Sequence, residues 1–174
     1  MIVKSYEIEK NPTNFLKYNF FLLYGENYGL IKDIRTKVKF SLSKLDTDLE
    51  ILSLYENEIK ENEETCYNSV YSGSLFGNKK LINVHNVTDK IIKQIEDILG
   101  KYPSNVFIIF SASALEKKSK LRNFFETNKK TICIPCYLDS EKDLVIIAQS
   151  ELKKRNVMLS QEAINLLIDK SNSD

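Results

Sequence analysis

This sequence predicts an α/β domain built on a parallel sheet of about five strands, with helices on both faces. Two observations carry the expectation. Short, mostly continuous apolar runs recur between residues 20 and 134, as strands buried on both faces require. Between them lie segments whose apolar residues return every three or four positions, the period of an amphipathic helix. Strands joined through helices pair in parallel, because the helix makes the crossover back to the same end of the sheet.

Phe20-Phe21-Leu22-Leu23-Tyr24 reads as the first strand, apolar throughout and stopped at Gly25. Leu30, Ile31, Ile34 and Val38 then mark a helix whose other face carries lysines and Arg35. Leu49-Glu50-Ile51-Leu52-Ser53-Leu54-Tyr55 is the second strand, and Ile59, Cys66, Tyr67 and Val70 supply a weaker helical stripe after it. Leu81-Ile82-Asn83-Val84 is the third strand. Ile91, Ile92, Ile95, Ile98 and Leu99 define an amphipathic helix that Thr88 or Asp89 caps at its start and Gly100 is expected to stop. Val106-Phe107-Ile108-Ile109-Phe110 is the fourth strand, Leu121, Phe124 and Phe125 belong to the next helix, and Thr131-Ile132-Cys133-Ile134 is the fifth strand. After Pro135 strand signals cease. Residues 143–155, with Leu144, Ile147, Ala148 and Leu152 on one face, and residues 161–170, capped by Ser160, read as the beginning of a small helical domain.

A chain of 174 residues has room for one such domain and part of a second. The formal net charge of +1 excludes a dominant basic surface for nucleic acid, so any DNA contact must be local. No apolar run approaches the roughly 18 residues that span a bilayer, and the start Met1-Ile2-Val3-Lys4-Ser5 lacks the apolar core of a secretory signal. A cytoplasmic protein with no membrane partner is expected.

In an α/β domain of this kind the turn after the first strand is where a phosphate loop would sit. Measured from Gly25, such a loop needs glycine, lysine and a hydroxyl where this chain has Leu30, Ile31 and Lys32, and Glu26 would repel phosphate. The third strand runs into His85-Asn86 and offers no carboxylate for magnesium. No intrinsic catalysis and no cofactor are expected. Cys133-Ile134-Pro135-Cys136 has redox or zinc spacing, but it lies on a strand rather than at a helix N-terminus, where a dipole would stabilise the thiolate. His85 stands alone as a candidate ligand or base, and Glu61, Glu63 and Glu64 read as an exposed helix face. Lys117, Lys118 and Lys120, with Arg122, form a basic run that suits either a phosphate or subunit contact or a solvated helix start.

Recognition is better represented than chemistry. In Ser72-Gly73-Ser74-Leu75-Phe76-Gly77-Asn78-Lys79-Lys80 a bulky apolar pair stands between two glycines ahead of a basic patch, a pattern suited to a turn that projects Leu75 and Phe76 into a partner's pocket. The competing reading makes both residues core anchors at the mouth of the third strand.

Several segments, in order, resemble the delta subunit of the bacterial DNA polymerase III clamp loader. They are Phe21-Leu22-Leu23-Tyr24-Gly25-Glu26, Ser74-Leu75-Phe76-Gly77 with Lys79, Lys80 and Leu81, Leu115-Glu116-Lys117-Lys118-Ser119-Lys120-Leu121, and Ile134-Pro135-Cys136-Tyr137 followed by Glu141-Lys142-Asp143-Leu144. The resemblance implies an AAA+-like first domain without ATPase machinery over residues 1–138, the beginning of a helical lid over 139–174, and no C-terminal collar. It further implies that Leu75 and Phe76 insert into the sliding clamp, the beta subunit, and help to open the ring. Other implied partners are the gamma/tau and delta-prime loader subunits, and DNA through the assembled complex. The alternatives are a P-loop-type nucleotide-binding enzyme with a degenerate phosphate loop and a thiol redox protein using Cys133 and Cys136.

Overall fold

The structure, a computed structural model, describes residues 1–73, 79–138 and 140–171. They form two compact units, Met1–Cys136 and Tyr137–Asp174.

The first unit holds five parallel strands, β1 (Phe20–Tyr24), β2 (Glu50–Tyr55), β3 (Lys80–His85), β4 (Val106–Ala112) and β5 (Thr131–Pro135), in the order β2-β3-β4-β1-β5. Six helices accompany them: α1 (Ser5–Lys10), α2 (Tyr28–Ser43), α3 (Glu56–Glu61), α4 (Glu63–Tyr71), α5 (Ile92–Lys101) and α6 (Lys120–Thr127). Successive side chains of a strand point to opposite faces, so a continuous apolar run feeds two cores at once. Phe20, Leu22, Ile82, Val84, Ile108 and Phe110 pack against α4, α5 and α6. Phe21, Leu23, Leu81, Ile109, Ile132 and Ile134 face α1 and α2. The interior strand β1 is buried along its whole length, whereas β2, at the sheet edge, alternates half-buried and exposed residues. The expected parallel sheet with helices on both faces is therefore present.

Two elements differ from the expectations. The segment after β2 is two short helices, broken at Asn62, whose side chain accepts the amide of Glu64 and caps α4. Gly100 does not end α5: the helix runs through Lys101, Gly100 lacks a positive φ, and Tyr102 turns extended. The residue before a proline is driven out of the helical region, so Pro103 rather than Gly100 sets the stop.

In the second unit α7 (Glu141–Lys154) and α8 (Gln161–Ser171) pack on each other, and the Ser160 hydroxyl accepts the amide of Ala163 as the N-cap of α8. Ile164 is buried between them, while Ile146, Ile147, Met158, Leu166 and Leu167 are exposed. Among the described residues no helix is long and apolar enough to cross a membrane.

Candidate clamp-binding edge and the closed phosphate turn

Gly25 follows β1 with φ of +142°, a conformation that side-chain-bearing residues avoid. Its amide donates to the carbonyl of Ala112 (3.4 Å), and the amide of Asn27 donates to the carbonyl of Cys136 (3.1 Å). Cys136 in turn donates its own amide to Tyr24 (2.7 Å), so the chain leaving β5 is laced onto the turn. Further on, the Asn27 side chain accepts the amide of Leu30 at 2.9 Å and caps α2. A phosphate loop works by aiming such amides at an anion. Here the amides of Gly25, Asn27, Tyr28 and Leu30 are all bonded to protein oxygens. Ile31, where a phosphate loop carries its lysine, is 5% exposed and sits in the core, and Lys32 points to solvent.

Within β3, level with Phe21 on β1, Asn83 accepts from Arg35 Nε (3.3 Å) and donates to the carbonyl of Leu52 (3.5 Å), a bracing role between α2 and two strands. The half-buried His85 lies against Tyr55, ring centroids 5.1 Å apart. Burial, reinforced by the Arg35 charge, lowers its pKa, which favours the neutral imidazole. Cys133 and Cys136 are both fully buried, and neither is in a disulfide. Burial is the main reason the Cys133 thiol is pushed up to about 12, the opposite of what a redox-active thiolate needs. Among the described residues no three His, Cys, Asp or Glu side chains converge as a metal-binding group.

The basic run begins α6. Lys117, Lys118 and Lys120 are exposed, and Lys118 pairs with Glu116 at 2.9 Å in open solvent, where such a pair contributes about 0–1 kcal/mol. Arg122 departs from the run. It turns inward, with Nε on Glu126 (2.7 Å), Nη1 on the carbonyl of Leu115 (3.2 Å), and its guanidinium 5.2 Å from the Tyr24 ring. The N-terminus of α6 is itself filled by a carboxylate: Asp89 accepts from the Ser119 hydroxyl (2.7 Å) and from the amides of Leu121 (2.9 Å) and Lys120 (3.1 Å). An anion is thus excluded from those amides, and the three lysines offer only their exposed ammonium groups.

Partial desolvation raises the Asp89 pKa, but the hydrogen bonds from Ser119, Leu121 and Lys120 and the Lys120 charge outweigh it, leaving the group below the usual carboxylate range. A depressed folded-state pKa gives stability that is complete above the unfolded value of about 3.9 and is lost as pH falls through the folded value. Asp89→Asn should therefore cost about 1 kcal/mol at neutral pH, as loss of a cap does, and should flatten the acid limb of the stability curve. Urea titrations from pH 7 to pH 2 check this; a parallel offset at every pH would remove Asp89 from the acid response.

Leu75 and Phe76, with Ser74, Gly77 and Asn78, lie outside the described residues. Their flanks do not. Gly73 lacks a positive φ, and among the described residues nothing lies within 4 Å of where its Cβ would stand. Lys79 is half-buried, while Lys80, read from sequence as part of a basic patch, is 1% exposed inside the fold. Because β3 starts at Lys80, Lys79 and Lys80 stand at the amino ends of the parallel strands, opposite the end that carries the Gly25 turn.

The family model for DNA polymerase III, delta subunit, matches residues 21–137. A probable DNA polymerase III subunit delta from Rickettsia prowazekii (strain Madrid E) is 32% identical over 151 residues, covering 84% of this chain and 43% of that protein. The solved structure of the Bacillus subtilis DNA clamp loader delta protein superposes with a TM-score of 0.61 at 14% identity, over 94% of this chain and 50% of that one. At that identity the likeness concerns the fold. The chain thus spans half or less of the length of these relatives. The family match begins inside β1, takes in the closed turn, the 74–78 segment and the α6 start, and ends just past Cys136: the chain belongs to the DNA polymerase III delta subunit family.

Proposed function

We infer that this chain is the clamp-binding portion of a clamp-loader delta subunit, a replication component that engages the sliding clamp through Leu75 and Phe76 and favours ring opening without hydrolysing ATP. The observation that carries the reading is the closed turn at Gly25 inside an otherwise intact AAA+-like sheet of this family. A fold kept while its phosphate amides are consumed internally suits a subunit that works by binding. Binding opens a ring only to the extent that the opened form is bound more tightly than the closed one.

On this reading residues 1–138 are the clamp-binding domain and 139–174 belong to the helical lid, whose α7 and α8 expose Ile146, Ile147, Leu166 and Leu167. Lys117, Lys118 and Lys120 are accessible for a contact with another subunit or with DNA in the assembled loader, alongside gamma/tau and delta-prime.

The direct test is immobilised sliding clamp titrated with this chain: saturable binding supports the reading, and none at tens of micromolar ends it. A second prediction concerns nucleotide. Calorimetry with magnesium and ATP should give no heat of tight binding, because the lysine and hydroxyl that hold the terminal phosphates and metal are replaced by Ile31 and Lys32. Magnesium-dependent micromolar binding abolished by mutating the turn would instead favour a nucleotide-binding enzyme.

A further inference from the structure

Lys80 carries a positive charge into the protein interior, and an ammonium is tolerated there only when paired and hydrogen-bonded. Its Nζ donates to the carbonyl of Ser69 (3.1 Å), the carbonyl of Ser72 (2.8 Å) and the hydroxyl of Ser72 (3.0 Å). The Glu50 carboxylate, its register partner on β2, lies 3.7 Å away. The Ser69 bond is an ordinary helix C-terminal contact, a cation at the negative end of α4. The two bonds to Ser72 are different, since that residue lies beyond α4, is otherwise exposed, and leads into the segment that bears Leu75 and Phe76.

The other flank is fastened as firmly. Asp46 accepts the amide of Lys79 at 2.6 Å, and the carbonyl of Lys79 accepts the amide of Glu50 at 3.2 Å. Both ends of the segment are thus tied to one corner of the sheet, with Glu50 shared between them. For stability alone, an apolar side chain of similar volume often serves as well as a buried ion pair. What an apolar replacement cannot do is fix Ser72 by both of its oxygens.

Building on the proposed role of Leu75 and Phe76, we propose that Lys80 and Asp46 are positioning residues for clamp recognition: they hold the two points at which the chain enters and leaves the contact segment, so that less freedom is lost on binding. The test uses the whole chain and purified sliding clamp, with each variant's unfolding followed in urea so that affinity is expressed per folded molecule. Lys80→Met, combined with Glu50→Gln so that no buried carboxylate is stranded, is expected to unfold cooperatively and bind the clamp at least tenfold more weakly. Asp46→Ala, the milder change, is expected to weaken binding about threefold and serves alone if the double variant does not fold. In the Leu75→Ala/Phe76→Ala background neither change should lower the residual affinity further, because there is no anchor left to position. Unchanged affinity in folded Asp46→Ala or Lys80→Met/Glu50→Gln overturns the positioning role and leaves the clamp contact intact. Wild-type affinity in Leu75→Ala/Phe76→Ala instead overturns the clamp contact, and this inference with it.

Discussion

Replacing Leu75 and Phe76 together by alanine is expected to weaken binding to the sliding clamp by at least about a hundredfold while leaving the fold intact. Apolar anchors at the centre of an interface commonly contribute on the order of 2 kcal/mol or more each, and about 1.4 kcal/mol corresponds to a factor of ten. The described part of the chain already supplies both cores at this strand: β3 contributes Leu81 to one and Ile82 and Val84 to the other, all about 1% exposed. Surface plasmon resonance against immobilised clamp and a urea melt of the same sample separate the two roles. A large drop in the unfolding midpoint with affinity per folded molecule unchanged would make Leu75 and Phe76 core residues and would remove them from recognition.

The second large effect is on stability. A methyl group placed on Gly25 would overlap the carbonyl oxygen of Cys136 and approach its Cα to 3.2 Å, at a φ of +142° that alanine resists. Backbone strain of about 1–3 kcal/mol and overpacking of a similar size make Gly25→Ala destabilising by on the order of 4 kcal/mol. With a urea slope of about 2 kcal/mol/M, the midpoint should fall by about 2 M. Gly29→Ala is the matched control, because Gly29 lies in α2 and its added methyl would meet only Asn27 Oδ1 at 3.5 Å. That change should be neutral or mildly stabilising, as alanine is favoured over glycine inside a helix. If both variants melt alike, the close approach of Gly25 to Cys136 is not a constraint on the fold.

The strands were legible because a parallel sheet covered on both faces demands continuous apolar runs, and Phe20–Tyr24 and Val106–Ala112 have them. The short helix Ser5–Lys10 shows no helical period in the sequence, since Ile8 is its one buried apolar residue among those described. Lys80 was misread for a related reason. Charge in a sequence signals a surface, and the oxygens that satisfy this lysine belong to residues 8 and 11 positions earlier, at the end of α4, which packs beside the start of β3. At the phosphate turn, the missing lysine and hydroxyl could be read directly from Ile31 and Lys32. Its closure by Cys136 could not, because it joins segments that only the completed sheet brings together. The assignment of Leu75 and Phe76 to the clamp rests on resemblance to the family and not on any periodicity.

During synthesis β1 emerges before the other four strands of this sheet, yet its neighbours come late: Phe20 pairs with Ile108 on β4 and with Thr131 on β5. At about 5–20 residues per second, roughly 4 to 18 seconds separate the appearance of Tyr24 from that of Ala112. In that interval β2 and β3 can pair with each other, but the place between β3 and β1 stays empty until β4 fills it. β4 is therefore the element that unites the sheet, and productive folding waits for non-local contacts, which are slow to form. Until then Phe20-Phe21-Leu22-Leu23-Tyr24 is an uncharged, β-prone apolar stretch without a partner strand, the kind of segment that aggregates or is held by chaperones on the nascent chain.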